Sequence, residues 1–184
     1  MTVLAALNDA IANRFGLARR PPSPDPFERA TKELARQLAL PLPELAARIE
    51  QDPELSRRLA GHLTVDESYF LRQPEHFDLV LERIGRDPAD TIGRPLTVLS
   101  AGCAHGEEPY SLAVLVAERA PWARPFVRIL ASDLSRESIL QAREGRFSDW
   151  SMRDAPDWFR SRYFQHEGDG WRIDAAIRAM VGFE

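Results

Sequence analysis

The sequence is poor in the features that mark secreted, membrane-spanning or nucleic-acid-binding proteins. Cys103 is the single cysteine of 184 residues, so no internal disulfide can form and a reducing compartment fits. No apolar run reaches the roughly 20 residues that a membrane-spanning helix needs. Lys32 is the only lysine, and a net charge of −4 gives no general attraction to nucleic acid or to an anionic membrane. These absences predict a cytoplasmic protein without membrane insertion or nucleic-acid binding.

The first third of the sequence predicts a small all-helical domain over residues 1–63. Apolar residues recur at helical spacing in four short segments, and the first segment contains Asn8 and Asp9, which argues against a signal peptide. Asp25 and Asp52 are predicted N-caps, since each is followed by proline and an acidic first turn. We expect the arginines of this region to form a solvated face.

Residues 64–184 instead alternate between strand and helix patterns. The apolar runs Leu96–Leu99 and Phe126–Ala131 predict two strands, each followed by a predicted helix. This alternation predicts a parallel sheet covered by helices, so the fold class is α/β. Residues 85–95 are predicted to be a polar loop, and residues 171–173 a brief strand. The aromatic residues Trp150, Trp158, Phe159, Tyr163 and Phe164 are predicted to pack in the core.

A glycine turn joins the first predicted strand to its helix. Gly102 and Gly106 tolerate backbone angles that a side chain disfavours, and they let a ligand approach the main chain. Glu107 and Glu108 then open the helix, where a site for a phosphate would present bare N–H groups. Two carboxylates suit a ligand with hydroxyls or positive charge, and S-adenosylmethionine has both.

Asp133 follows the second predicted strand, 31 residues after Gly102. An acid at this place can accept hydrogen bonds from both ribose hydroxyls of an adenosine cofactor, although the interval in dinucleotide sites is about 20 residues. The alternative is that Asp133 caps the next helix. Glu107 and Glu108 have a comparable alternative, as first-turn acids that complement the helix dipole.

Three segments in order resemble the CheR family of S-adenosylmethionine-dependent chemotaxis receptor methyltransferases. Residues 68–72 (SYFLR), with Phe77 after them, resemble its "[ST]-x-F-[FL]-R … F" segment. Residues 100–111 (SAGCAHGEEPYS) resemble its glycine turn nearly residue for residue. Residues 131–135 (ASDLS) resemble the end of its second strand, and residues 1–62 match its N-terminal domain in size and position.

The resemblance implies transfer of a methyl group from S-adenosylmethionine to glutamate side chains on the helical bundle of a chemoreceptor, with S-adenosylhomocysteine as product. Arg72 would hold the cofactor and the charge of the active site, with Asp66 and Ser68 beside it. Glu107 would bind the amino-acid end of the cofactor and Asp133 its ribose. The cofactor would also lie against the turn residues, namely Ala101, Gly102 and Gly106. For Arg72, a surface ion pair is the alternative role.

Parts of the family pattern are not found in the sequence. It shows neither the "C-R-N-V" segment nor the tyrosine-bearing stretch that follow in the family, and we expect no small antiparallel insertion of the kind that grips a receptor tail. The resemblance thus predicts a helical domain followed by an incomplete, Rossmann-like methyltransferase domain. We expect an exposed sheet edge that favours self-association, and little or no turnover.

Other functions remain open at this point. One is a regulatory module that binds S-adenosylmethionine without catalysis, and another is a methyltransferase for a different protein or a small molecule. A nicotinamide dehydrogenase is disfavoured because the turn lacks G-x-G-x-x-G. Cys103 is interpreted as a small turn residue rather than a nucleophile. His76 and His105 lack companions at metal-ligand spacing, so no metal site is predicted.

Overall fold

Two compact units make up the protein in a computed structural model, which describes residues 2–17, 26–64, 67–86 and 88–184. The first unit spans residues 1–65 together with the short segment 134–136, and the second spans 66–133 and 137–184. The division into domains at residues 63 and 64 remains our proposal. None of the described helices is long and apolar enough to cross a membrane.

The first unit contains four helices over its described residues, as the sequence predicts. They are α1 (Val3–Phe15), α2 (Pro26–Leu38), α3 (Leu42–Gln51) and α4 (Pro53–Gly61). Fully buried side chains from each helix form the core, among them Leu7, Leu34, Leu45 and Leu59. Asp52 caps α4 as predicted, because its Oδ1 accepts hydrogen bonds from the N–H groups of Glu54 and Leu55. The other predicted cap, Asp25, lies outside the described residues.

The second unit is built on a parallel sheet, which confirms the predicted α/β class. Strand β1 (Leu96–Ala101) pairs with β2 (Val127–Ser132), which pairs in turn with β6 (Val181–Phe183). Helices α5 (Pro74–Arg86) and α6 (Pro88–Gly93) precede β1, and α7 (Glu107–Arg119) and a 3₁₀ turn (Pro121–Phe126) connect β1 to β2. Helix α7 packs against β2, β6 and α5. The carboxyl ends of β1 and β2 therefore lie side by side at the start of α7.

Both outer edges of the parallel sheet are unpaired in the described part of the chain. The strand order is β1, β2, β6, so β1 and β6 each pair on one side only. Leu99 in the middle of β1 is 63% exposed. Self-association through an exposed edge stays a prediction.

A second, antiparallel sheet lies between α8 (Arg136–Glu144) and β6. Its strands are β3 (Arg146–Phe147), β4 (Phe164–Glu167) and β5 (Gly170–Ile173), in the order β3, β5, β4. Helix α9 (Asp157–Tyr163) lies between β3 and β4 in the sequence, and α10 (Ala175–Arg178) follows β5. The expectation of no small antiparallel sheet was therefore wrong. Strand β5 contains the brief strand predicted over residues 171–173, so that prediction is confirmed, whereas β3 and β4 are two and four residues long, too short for an alternating pattern to show in the sequence.

Two further predictions need correction. The predicted loop over residues 85–95 contains the end of α5 and all of α6, which is held by a hydrogen bond from Thr91 Oγ1 to the Ile84 carbonyl at 3.0 Å. In the aromatic cluster, Phe159 and Phe164 are buried and Trp158 and Tyr163 are partly buried, as predicted, but Trp150 is 63% exposed. Trp150 lies in an irregular turn after β3, where no strand or helix directs it to the core.

The buried aromatic rings that do form the core meet around Phe70. Its ring centroid lies 4.7 Å from that of Phe147, 5.0 Å from that of Phe164 and 5.4 Å from that of Phe159. Such tilted and edge-on pairs each contribute about 0.5–1.5 kcal/mol beyond the burial of area. Phe70, which belongs to the SYFLR segment, is thereby fixed to the antiparallel sheet.

Alanine substitution at two glycines distinguishes the cost of backbone strain from the cost of steric overlap. Gly145 and Gly168 have almost the same left-handed φ, +67° and +66°. An added Cβ would lie 2.7 Å from Ile173 Cγ2 at Gly145 and would meet nothing at Gly168. Alanine at Gly168 should destabilise the fold by about 1 kcal/mol, and alanine at Gly145 by about 1–3 kcal/mol more.

Urea unfolding followed by tryptophan fluorescence measures both variants, since all four tryptophans belong to the second unit. Equal loss of stability in the two variants would contradict the prediction.

Candidate functional site

The glycine turn is tied directly to the end of the neighbouring strand. The N–H groups of Gly102 and Cys103 both donate to the carbonyl of Ser132, at 2.8 and 3.0 Å. Gly102 has a φ of +76°, and Gly106, which directly precedes α7, has a φ of +94°. A Cβ at Gly106 would come within 3.1 Å of the Tyr110 ring and of the Ala142 side chain, so glycine is required there for packing as well as for conformation.

Asp133 contacts this turn rather than standing apart from it. Its Oδ2 accepts a hydrogen bond from the N–H of Ala104 at 2.8 Å, and Ala104 adopts a left-handed φ of +46°. Left-handed backbone is unfavourable for alanine by about 1 kcal/mol or more, and the carboxylate stabilises it here. A carboxylate accepts several hydrogen bonds, so this bond is compatible with the predicted ribose contact.

Glu107 carries a buried carboxylate at the first position of α7. The residue is 1% exposed, and its Oε1 accepts a hydrogen bond from Ser151 Oγ at 2.9 Å. Among the described residues, its Oε2 is buried without a hydrogen-bond partner. A buried acceptor without a partner costs about 1–3 kcal/mol, and a charged one costs more. A hydrogen-bond donor on a bound ligand would remove that cost.

Glu108, the next residue, has a different environment. Its side chain is exposed, and its Oε1 accepts a hydrogen bond from Ser100 Oγ at 2.5 Å. Glu108 is exposed although its neighbours Glu107 and Pro109 are both buried. As first-turn acids the two glutamates are equivalent, but their environments differ, and the resemblance assigns the cofactor contact to Glu107.

The SYFLR segment is held against the start of α7. The N–H of Phe70 donates to the Ser151 carbonyl at 3.0 Å, and the N–H of Leu71 donates to Ser111 Oγ at 2.9 Å. Ser111 Oγ in turn donates to the Glu107 carbonyl at 2.6 Å. Ser68 is half-buried, whereas predicted Asp66 lies outside the described residues. The segment and the glycine turn thus flank the same end of α7.

Arg72 is exposed, and its flanking backbone is strained. Leu71 and Gln73 have φ values of +59° and +55°. Non-glycine residues in this region cost about 1–3 kcal/mol each and are frequent at functional sites. Arg72 Nη1 donates to the Glu67 carbonyl at 3.2 Å, and the guanidinium lies 5.6 Å from the centre of the Tyr69 ring. Neither of these two contacts is an ion pair, which is the alternative role considered for Arg72.

The turn that follows β3 brings three residues to the site that the sequence analysis did not place there, namely Trp150, Ser151 and Arg153. Ser151 contacts Glu107, and the guanidinium of Arg153 lies between two rings, 3.9 Å from Tyr69 and 4.2 Å from Trp150. Arg153 is also 3.6 Å from the Glu67 carboxylate. The sequence offers little sign of these contacts, because residues 148–153 follow no helix or strand pattern.

The described residues show neither a reactive thiol nor a metal site. Cys103 is 1% exposed, and burial raises the pKa of its thiol to about 12, so the thiol stays protonated near neutral pH. No group of three or more potential metal ligands occurs in the described ranges. What the site offers is a buried carboxylate, a glycine turn with exposed backbone and a second acid at the end of β2.

Several curated proteins are similar to this chain. A "Chemotaxis protein methyltransferase" of Borreliella burgdorferi is 28% identical over 133 residues, covering 68% of this chain and 47% of that protein. One of the same name from Listeria innocua is 32% identical over 142 residues, covering 76% and 53%. The "Probable biofilm formation methyltransferase WspC" of Pseudomonas aeruginosa is 30% identical over 178 residues, covering 94% and 41%. The chain thus spans about half the length, or less, of these relatives.

The family profile described as "CheR methyltransferase, SAM binding domain" matches residues 66–184, which is well over half of the chain. The match begins two residues before the SYFLR segment and includes that segment, the glycine turn, Glu107 and Asp133. The predicted resemblance is therefore confirmed, and this chain belongs to the CheR methyltransferase family.

Proposed function

We propose that this protein binds S-adenosylmethionine and transfers its methyl group to glutamate carboxylates of chemoreceptors. The observation that carries the proposal is the buried Oε2 of Glu107, which has no hydrogen-bond partner among the described residues. The carboxylate would attract the ammonium group at the amino-acid end of the cofactor, and that group has the N–H donors that the oxygen lacks.

The remaining contacts follow from the positions around this carboxylate. Asp133, just after β2, would accept hydrogen bonds from the ribose, while Gly102, beside which an added Cβ would meet nothing, would let the cofactor approach the backbone. Ala101 and Gly106 would lie beside the cofactor in the same turn. Ser68 and Arg72, on the segment held against α7, would line the other side, with Asp66 beside them. The fold supports this arrangement because ligands of open parallel sheets bind at the carboxyl ends of the strands.

The chemistry needs alignment rather than a general base. A glutamate side chain is already ionised near neutral pH. S-adenosylmethionine supplies a methyl group on a positively charged sulfur, so one lone pair of a carboxylate oxygen forms the new O–C bond while the old C–S pair returns to sulfur. Such alignment can contribute about 7–11 kcal/mol. Arg72 is exposed beside the site and would hold the acceptor carboxylate in place by its positive charge.

The substrate class rests on the relatives and on the family. Two of the relatives above carry chemotaxis in their names, and the WspC relative carries biofilm formation. A helical receptor bundle would meet the helical first unit, whose arginines offer positive charge to an acidic surface. The alternatives are a module that binds cofactor without transferring methyl groups, and a methyltransferase with another substrate.

The two adjacent glutamates provide a matched test of the cofactor assignment. Glu107→Gln keeps the shape of the buried side chain but removes its charge, whereas Glu108→Gln makes the same change on an exposed neighbour. We expect Glu107→Gln to weaken binding of S-adenosylhomocysteine roughly 10- to 100-fold, because a hydrogen bond to a charged group contributes about 1.5–3 kcal/mol. Glu108→Gln should change the affinity less than twofold. Isothermal titration calorimetry measures both.

Equal effects of the two substitutions would contradict the role of Glu107. Absence of binding by the unmodified protein would contradict the whole assignment.

Methyl transfer itself is tested with labelled cofactor. The protein is mixed at stoichiometric concentration with tritiated S-adenosylmethionine and the cytoplasmic helical fragment of a chemoreceptor. Glutamate methyl esters hydrolyse in alkali, so transfer should appear as base-volatile label on the receptor. We expect label to appear on the receptor fragment. The Glu107→Gln variant should transfer less.

The outcomes separate the competing functions. Cofactor binding without any transfer would favour the non-catalytic module. Label on other proteins of a cell extract but not on receptor fragments would favour a different substrate.

A further inference from the structure

Ser151 makes two contacts that join the two sides of the site. Its hydroxyl donates to Glu107 Oε1 at 2.9 Å, and its carbonyl accepts from the N–H of Phe70 at 3.0 Å. The residue is 8% exposed and lies in the turn after β3, remote in sequence from both partners. The first contact uses the side chain and the second only the backbone, so the two can be separated by mutation.

We infer that Ser151 is a positioning residue that directs one chosen oxygen of the Glu107 carboxylate toward the ligand. By binding Oε1, the hydroxyl fixes the rotation of the carboxylate and leaves Oε2 as the oxygen without a protein partner. This inference rests on the proposed function, since the ligand group that Oε2 would meet is the ammonium group of S-adenosylmethionine.

The neighbouring serine is not equivalent to Ser151 in this role. Ser111 is fully buried one turn along α7, but its hydroxyl has a single hydrogen, which it donates to the Glu107 carbonyl at 2.6 Å. Its oxygen also accepts from the N–H of Leu71. Within the described part of the chain, Ser151 is therefore the one donor to the Glu107 carboxylate.

Loss of this donor would leave both carboxylate oxygens buried without partners. Such a state is unfavourable, and the side chain relieves it by turning toward other donors or toward water. The geometry that presents Oε2 would then be lost while the charge of Glu107 remained. Removal of the Ser151 hydroxyl should therefore weaken binding of the ammonium group without affecting the adenosine part of the ligand.

The test compares two ligands that differ at their amino-acid end. S-adenosylhomocysteine carries an ammonium group, whereas 5′-methylthioadenosine has the same nucleoside and thioether but lacks the amino acid. Calorimetry on the full chain measures both ligands with the unmodified protein and with Ser151→Ala. We expect Ser151→Ala to weaken S-adenosylhomocysteine about tenfold, and to leave the methylthioadenosine affinity within twofold.

Two further variants control for folding and for general effects on the turn. Ser151→Thr keeps a hydroxyl and should restore most of the affinity for S-adenosylhomocysteine. Ser148→Ala removes an exposed hydroxyl of the same turn, one that accepts only from the N–H of Ser151, and should bind both ligands normally. The thermal midpoint of Ser151→Ala should fall by only a few degrees, since one hydrogen bond is lost.

Equal weakening of both ligands by Ser151→Ala would show a general structural role and would overturn the inference. Unchanged affinity for both would overturn it as well, while the proposed function would stand. If the unmodified protein bound neither ligand, the proposed function itself would fail, and the inference with it.

Discussion

The tie between the ends of β1 and β2 is the constraint on which the rest of the site depends. Two N–H groups of the glycine turn converge on the Ser132 carbonyl, and the next residue, Asp133, holds the Ala104 N–H. Parallel pairing brings the two strand ends together, but these three hydrogen bonds fix the path of the turn between them. The turn leads through Gly106 directly into α7, whose first residue is the buried Glu107.

Three residues with strained backbone lie near the start of α7. Leu71, Gln73 and Ala104 have left-handed backbone, which costs about 1–3 kcal/mol each. The Asp133 carboxylate stabilises Ala104. Leu71 and Gln73 lie next to the buried ring of Phe70 and to the hydrogen bonds of Phe70 and Leu71 with Ser151 and Ser111. The backbone that carries Arg72 is thus connected to the aromatic core of the antiparallel sheet.

The elements with a long or distinctive signal could be predicted from the sequence, and most of the short ones could not. Helical spacing predicts α1 to α4, and apolar runs predict β1 and β2. Of the antiparallel sheet only the strand at residues 171–173 was predicted, because β3 and β4 carry too few positions for a period to show. Ser151 was missed for another reason. Its contact with Glu107 spans 44 residues, and only the folded chain brings the two together.

The pair Glu107 and Glu108 shows how the fold distinguishes two adjacent acids of one motif. Both acids complement the dipole of α7 equally well, and only the family resemblance favours Glu107 for the cofactor contact. In the structure the core buries Glu107 and leaves Glu108 exposed. Burial converts an ordinary first-turn acid into an acceptor that lacks one partner. Under the proposed function, this buried carboxylate beside the glycine turn would hold the ammonium group of the cofactor in one place. Methyl transfer to an ionised carboxylate would then need neither a reactive thiol nor a general base.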